Sequence, residues 1–312
     1  MAVLHKPVLL EESLQYLITD RNGIYIDCTL GTGGHFEALS RRLEDDATLV
    51  GFDADPAAID FCKTHLSLPQ KTQFINQNFG DIAKYMFRYG YGKVTGILMD
   101  LGLSTFALDE PSRGFSFQSE GPLDMRFSPS TKMPAATFIN SASQTELSRI
   151  FWEYGEERQA RRIARAIIES RQEQSIGTTK ELAEIISNQV PARFRIKTLS
   201  RIFQAIRIHT NREMEVLHSA LPQALDLLLP EGRLVLISYH SLEDRLVKQF
   251  FRRESRNCIC PPDYPVCRCD HRARLHELTK APVTPGPEEV RENSRARSAK
   301  MRVASKIGGK LA

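Results

Sequence analysis

Ile24-Tyr25-Ile26-Asp27-Cys28-Thr29-Leu30-Gly31-Thr32-Gly33-Gly34-His35 reads as a buried strand that ends in a glycine-rich turn and opens a helix. In such a turn the backbone can approach a ligand closely, because no Cβ intrudes. The next apolar run, Leu49 to Phe52, closes on Asp53-Ala54-Asp55, and an acid at the end of the second strand is placed to accept both hydroxyls of a ribose. Dinucleotides and S-adenosylmethionine share this geometry. The dinucleotide fingerprint requires a third glycine where this chain has Phe36, which argues against NAD. An acid before the turn, Asp27, and free amides within it suit the amine and carboxylate of adenosylmethionine.

Working outward, strand-length runs recur at Phe74 to Asn76, Ile97 to Met99 and Leu234 to Ser238, and helical patterns lie between the first four strands. The expectation is an α/β fold with a parallel, Rossmann-like sheet. From Leu103 to about Met214 the apolar spacing turns helical, at Leu147 to Tyr154, Glu157 to Arg171, Leu182 to Gln189 and from Ile202 onward. Residues 106–214 therefore read as an all-helical domain inserted into a discontinuous core made of 1–105 and 215–312. Thr178-Thr179-Lys180-Glu181 has capping-box spacing and marks one helix start. Pro222 and a Pro230-Glu231-Gly232 turn are read as leading back to the sheet. Closing strands are expected near Leu275 to Thr279 and Lys300 to Ala304.

The 312 residues are of ordinary soluble composition, which excludes disordered and collagenous classes. No run of eighteen apolar residues occurs and the start lacks a signal-peptide core, so the expected location is cytoplasmic, with no membrane contact. Net charge is +4, but residues 245–312 hold 16 Lys/Arg against 7 Asp/Glu, which leaves the remainder acidic. Ala192 to Arg212 adds Arg193, Arg195, Lys197, Arg201, Arg207 and Arg212 without an acid. Both segments are candidates for lying along a polyanion, against the alternative of a solvated surface.

Further candidates sit at strand ends. Phe79 and Asp81 follow the third strand, an aromatic beside an acid that can flank an adenine. Asp100 follows the fourth strand, at the carboxyl edge where ligands of open α/β sheets bind. Ser238, Tyr239, His240 and Ser241 follow the fifth. His240 is a candidate catalytic group, with a helix-start histidine bonded to backbone as the other reading. Phe115 and Phe117 offer a stacking face for a base or an anchor to the core. Cys258, Cys260, Cys267 and Cys269 leave two readings open, a tetrahedral zinc site and a reduced loop, since paired cysteines usually have two residues between them. No metal is assigned.

The motifs His5-Lys6-Pro7-Val8-Leu9-Leu10, Thr29 to His35, Gly96 to Ser104, Arg113 to Phe117, Gly121 to Arg126, Tyr154 to Arg158, Phe203 to Arg207, Ile237 to Arg245 and Asn293 to Ala299 resemble the ribosomal RNA small subunit methyltransferase H family, MraW type. The resemblance covers nearly the whole chain. It implies a class I S-adenosylmethionine-dependent methyltransferase with an inserted helical substrate-recognition domain, methylating N4 of a cytidine in 16S rRNA of the small ribosomal subunit. Carried over by position, the family's cofactor contacts fall on Gly33, Gly34, His35, Asp53, Phe79 and Asp100. A further contact, usually Gln, falls on Ala107, and Lys197-Thr198-Leu199-Ser200-Arg201 keeps only the last residue of the family's His-Pro-Ala-Thr-Arg. Asp100 and His240 are the expected catalytic groups, the first orienting the amine, with Asp100, His240 or water taking its proton. Oligomeric state is not legible, and a homodimer is compatible with the sequence. Competing readings are an amino methyltransferase acting on DNA or protein, and a non-catalytic assembly factor that keeps the fold.

Overall fold

The computed structural model describes residues 7–103, 108–261, 264 and 266–308. His5, Lys6, Ser104 and Ala107, which figure in the readings above, lie outside the described residues. The chain divides into two compact units, 1–102 with 215–312, and 103–214.

The first unit is built on seven strands: β1 (Ile24–Asp27), β2 (Thr48–Asp53), β3 (Lys71–Asn76), β4 (Val94–Asp100), β5 (Leu228–Ser238), β6 (Leu275–Glu277) and β7 (Lys300–Lys306). Their spatial order is β3-β2-β1-β4-β5-β7-β6. The first five run parallel, and β7 is antiparallel to both β5 and β6. The order reverses between β1 and β4, the switch point at which doubly wound sheets bind ligands. With β7 inserted antiparallel beside β5, this is the class I methyltransferase fold.

Alternation along the strands explains the layering. Ile26, Val50, Phe52, Ile97, Met99, Leu234 and Leu236 face one apolar core, where Ile82, Met86, Leu221, Leu225 and Phe251 from three helices cover them. Their neighbours Tyr25, Leu49, Leu98, Val235 and Ile237 face the other core, under Leu14, Leu17, Phe36 and Leu39. A sheet buried on both faces needs near-continuous apolar strands, which is how β4 reads.

Two expectations about the return to the sheet are corrected. Pro222 lies inside the helix Glu213–Leu227 and does not end it. Pro230-Glu231-Gly232 is no turn between elements but part of β5: pairing passes from Val94 with Leu228 to Gly96 with Arg233, so β5 carries extra residues in a bulge, with Glu231 at φ 63°. A bulge uses the same residue types as a turn, which is why the two look alike in sequence.

The second unit is helical, with Ala135–Ser141, Gln144–Glu153, Ala160–Glu173, Thr179–Ser187 and Arg195–Asn211 packed around Leu147, Ile150, Phe151, Ile163, Ile167, Leu182, Ile202 and Ile206. The capping box forms: the Thr178 hydroxyl accepts from the Glu181 amide at 3.2 Å, and Glu181 accepts from the Thr178 amide at 2.9 Å. Such a box satisfies amides that the first helical turn leaves without partners.

Candidate functional site

Three carboxylates, Asp27, Asp53 and Asp100, close β1, β2 and β4 at the same edge of the sheet. Asp27 is 2% exposed and accepts from the Thr29 amide at 3.0 Å. The Thr29 hydroxyl in turn accepts from the Asp100 amide at 2.7 Å, which ties the tip of β1 to the tip of β4. Asp53 binds the glycine turn to β2: one oxygen accepts from the Gly31 amide at 2.8 Å, the other from the Asp55 amide at 2.9 Å. Each carboxylate oxygen has two lone pairs, so Asp53 keeps acceptor capacity for a ribose.

Within the turn, Gly33 sits at φ 80°, where L side chains are strained, and a Cβ there would come 2.7 Å from Leu66 Cδ1. The helix Gly34–Ser40 starts without a side-chain cap, so its first amides have no intrahelical partner. His35 is 7% exposed, and its Nε2 lies 3.1 Å from the Val8 carbonyl. A carbonyl only accepts, so Nε2 carries a proton and Nδ1 faces Asp100 Oδ2 at 3.8 Å.

Asp100 is half-buried, and the Tyr239 hydroxyl and the Gly102 amide near its carboxylate oppose the rise that burial gives its pKa, while Oδ1 is buried with no hydrogen-bond partner among the described residues. Tyr239, at the end of β5, lies across the end of β4, and a Cβ on Gly102 would come 2.6 Å from its ring, so only glycine fits. Burial first, and then the charge of Asp100, hold the Tyr239 phenol protonated and donating. Sequence reading placed Tyr239 only at the end of the fifth strand, since its proximity to Asp100 depends on β4 and β5 being neighbours.

The electrostatics follow from burial. Asp27 and Asp53 are each raised from the usual 3.8 to about 6, chiefly by desolvation. His35 opposes the rise at Asp27, and the Asp55 and Gly31 amides oppose it at Asp53. Asp100 is raised as well, by burial, against the pull of His35. Among the described residues no lysine or arginine pairs with any of the three, so the strand tips form an acidic cleft that lacks a cation.

Phe79 follows β3 in a short 3-10 turn, half-buried against the apolar core, with the Asn78 side chain accepting from the Gly80 amide at 2.9 Å. His240 caps the helix Ser241–Glu254: its Nδ1 accepts from the Glu243 amide at 3.4 Å, and its Nε2 lies 3.1 Å from Glu243 Oε1. The observed arrangement of His240 is that of a helix-start residue bonded to backbone. Ser238 donates to the Lys300 carbonyl at 3.2 Å.

In the helical unit, Phe115 is buried and stacks on Phe127 at 5.7 Å, and Phe117 meets Phe203 edge-on at 5.5 Å. Both rings anchor their loop, so the stacking-face reading is set aside. The basic stretch also divides. Arg207 pairs with Glu213 through two bonds of 2.8 and 2.9 Å, whereas every residue from Pro191 to Lys197 is exposed. A cavity of about 460 Å³ opens there, lined by Arg158, Arg162, Phe194, Lys197, Arg201 and the buried Glu157. In the C-terminal basic segment, Arg302 is buried against Asp244 at 2.6 Å, and the half-buried Lys306 donates to the Leu228 carbonyl at 2.8 Å. Arg291 and Arg297 are exposed.

The model of the MraW methylase family matches residues 2–307. The chain belongs to this family. The ribosomal RNA small subunit methyltransferase H of Halothermothrix orenii is 46% identical over 97% of this chain and 98% of its own length. That of Carboxydothermus hydrogenoformans is 48% identical over 97% and 98%, and that of Dehalococcoides mccartyi 50% identical over 97% and 86%. Among solved structures, an rRNA methylase from Streptococcus thermophilus matches at 11% identity and a TM-score of 0.40, over 96% of this chain and 94% of that one.

S-adenosylmethionine is the cofactor of this fold and family, and the strand tips suit it. It carries a sulfonium and an ammonium against one carboxylate, a net positive charge matched by three acids, Asp27 buried and Asp53 and Asp100 half-buried, with no lysine or arginine pairing with them among the described residues and one oxygen unpartnered. Gly33, Gly34 and His35 would hold its amino-acid end, Asp53 the ribose, Phe79 the adenine and Asp100 the neighbourhood of the reacting centre.

Proposed function

We propose that this protein methylates the N4 amine of a cytidine in 16S rRNA of the small ribosomal subunit, in the cytoplasm. The observation that carries the reading is Asp100 Oδ1, buried at the tip of β4 without a hydrogen-bond partner among the described residues. An unsatisfied buried acceptor is costly, and this one lies at the carboxyl edge of the sheet, where doubly wound folds bind ligands.

When bound, S-adenosylmethionine supplies a methyl group already activated by its sulfonium. The N4 amine is a weak nucleophile because its lone pair is delocalised into the ring. Accepting an amine N–H at Asp100 Oδ1 favours the pyramidal form whose lone pair is free, and it fixes the direction of attack. Tyr239 and Gly102 lie beside the carboxylate while this happens. After transfer the amine sheds a proton, and Asp100, a stronger base than an ordinary aspartate because it is buried, receives it. His240 positions this wall of the cleft by fixing the helix start that follows Tyr239. A stacked cytosine must be turned out to reach such a site, at a cost of about a few kcal/mol. The exposed Arg193, Arg195 and Lys197 of the helical unit offset that cost through phosphate contacts. The relatives' name, ribosomal RNA small subunit methyltransferase H, supports this substrate.

Mass spectrometry of small-subunit RNA from cells with and without the gene tests the assignment, with loss of a single N4-methylcytidine expected. Labelled-methyl transfer by the purified chain to subunits, free RNA, DNA and protein supplies the control. Transfer only to DNA or protein overturns the substrate, and calorimetry showing no cofactor binding overturns the enzymatic reading.

A further inference from the structure

We propose that Cys258, Cys260, Cys267 and Cys269 bind one zinc ion as four thiolates. Their four sulfurs lie within 4.8 Å of one another. Cys269 Sγ is 3.6 Å from Cys267 Sγ and 3.8 Å from Cys258 Sγ. Zinc–sulfur bonds of about 2.3 Å in a tetrahedron set sulfurs about 3.8 Å apart. A disulfide requires about 2.0 Å and joins sulfurs in pairs, whereas here one sulfur approaches two others at once, and all four cysteines are free.

The backbone is turned toward the sulfurs. The Ile259 amide donates to Cys269 Sγ and the Arg268 amide to Cys260 Sγ, each at 3.3 Å. A neutral thiol is a weak acceptor, so two amides aimed at sulfur match thiolates. Four thiolates around Zn²⁺ carry a net charge of −2, which the same segment offsets with Arg256, Arg268 and Arg272.

The segment also needs an organiser. It connects the helix Ser241–Glu254 to β6, and not one described residue from 255 to 274 is buried. Ile259, Tyr264 and Val266 lie exposed, so no apolar core closes this stretch. Small segments without a core are held by metal or disulfide, and the sulfur arrangement selects the metal. Binding exchanges protons for the ion: Zn²⁺ displaces four thiol protons as four Zn–S bonds form, with no change of oxidation state.

Metal analysis of the full chain, purified under reducing conditions with zinc in the growth medium, tests this. The expected result is one zinc per chain, released by a thiol-blocking reagent, and Co²⁺ exchange giving the visible bands of a tetrahedral tetrathiolate site. The double variant Cys258→Ser/Cys260→Ser is expected to lose the zinc while still binding adenosylmethionine by calorimetry, since the cysteines lie apart from the strand tips in sequence and fold. A stoichiometry near zero with no cobalt bands overturns the proposal. So does full zinc retention in the double variant, or a disulfide between these cysteines found in the reduced preparation.

Discussion

Cofactor binding is expected to release protons below about pH 6. Burial raises Asp27 and Asp53 from 3.8 to about 6, which corresponds to about 3 kcal/mol against each ionised carboxylate in the folded chain. The folded value lies above the unfolded one, so the stabilising contribution of these groups is fully present below pH 3.8 and is lost as pH rises through 6. At neutral pH the cofactor-free chain therefore holds unfavourable buried charge. A net-positive ligand at the strand tips favours the ionised acids and relieves that cost. Affinity for S-adenosylmethionine should be level above pH 7 and fall below pH 6, reaching about 15-fold weaker at pH 5.5 if both acids must ionise. Calorimetry in two buffers of different ionisation heat reads the protons directly. Almost none should be exchanged at about pH 7.5 and about 1.5 released at pH 5.5, with Asp27→Asn releasing about half as many. An affinity that stays flat from pH 7.5 to 5.5, without proton release, refutes the reasoning.

Asp100→Asn keeps the shape of the side chain and should lower methyl transfer at least about 100-fold, with cofactor affinity changed far less; turnover within a few-fold of the parent removes Asp100 from the chemistry. His240→Asn retains a helix cap, since asparagine caps well, and should leave turnover within a few-fold and the pH profile unmoved; a loss matching that of Asp100→Asn places the imidazole among the reacting groups. Arg302→Met leaves Asp244 buried without its closest partner and should cost about 3 kcal/mol in urea unfolding, with RNA affinity unchanged; weakened RNA binding at full stability contradicts the buried pairing. Arg193→Ala and Lys197→Ala should each weaken RNA binding and reduce the slope of log affinity against log salt by about 1, an outcome that an unchanged slope would exclude.

The strands of the parallel half were legible because a sheet covered on both faces demands apolar residues in succession, and the runs Ile24 to Cys28 and Ile97 to Met99 mark β1 and β4. The antiparallel edge was fainter for a physical reason. β7 reads Lys300-Met301-Arg302-Val303-Ala304-Ser305-Lys306, and Arg302 breaks its apolar pattern although it is buried, because Asp244 from the helix Ser241–Glu254 neutralises it. No single segment contains both halves of that pair. Arg207, read within an acid-free stretch, pairs with Glu213, the first residue past the end of that stretch. Charge runs show which residues are ionic, not which of them fold has already matched.

The site shows the same divide between position and partnership. Strand-end acids could be placed from sequence because each closes an apolar run, and the doubly wound fold brings carboxyl ends together. What sequence spacing does not encode is that Thr29 joins the tips of β1 and β4, or that Tyr239 reaches Asp100 from β5. These links exist only once β1, β4 and β5 lie side by side. They also make the acids unequal. Both oxygens of Asp53 are engaged by backbone amides, so it behaves as a strut of the turn as well as an acceptor. Asp100 keeps one oxygen with no partner among the described residues, at the edge where strands β4 and β5 meet. Of three carboxylates with the same origin in sequence, Asp100 is the one with a fully buried oxygen that lacks a partner among the described residues, so a new hydrogen bond there displaces none that holds the fold.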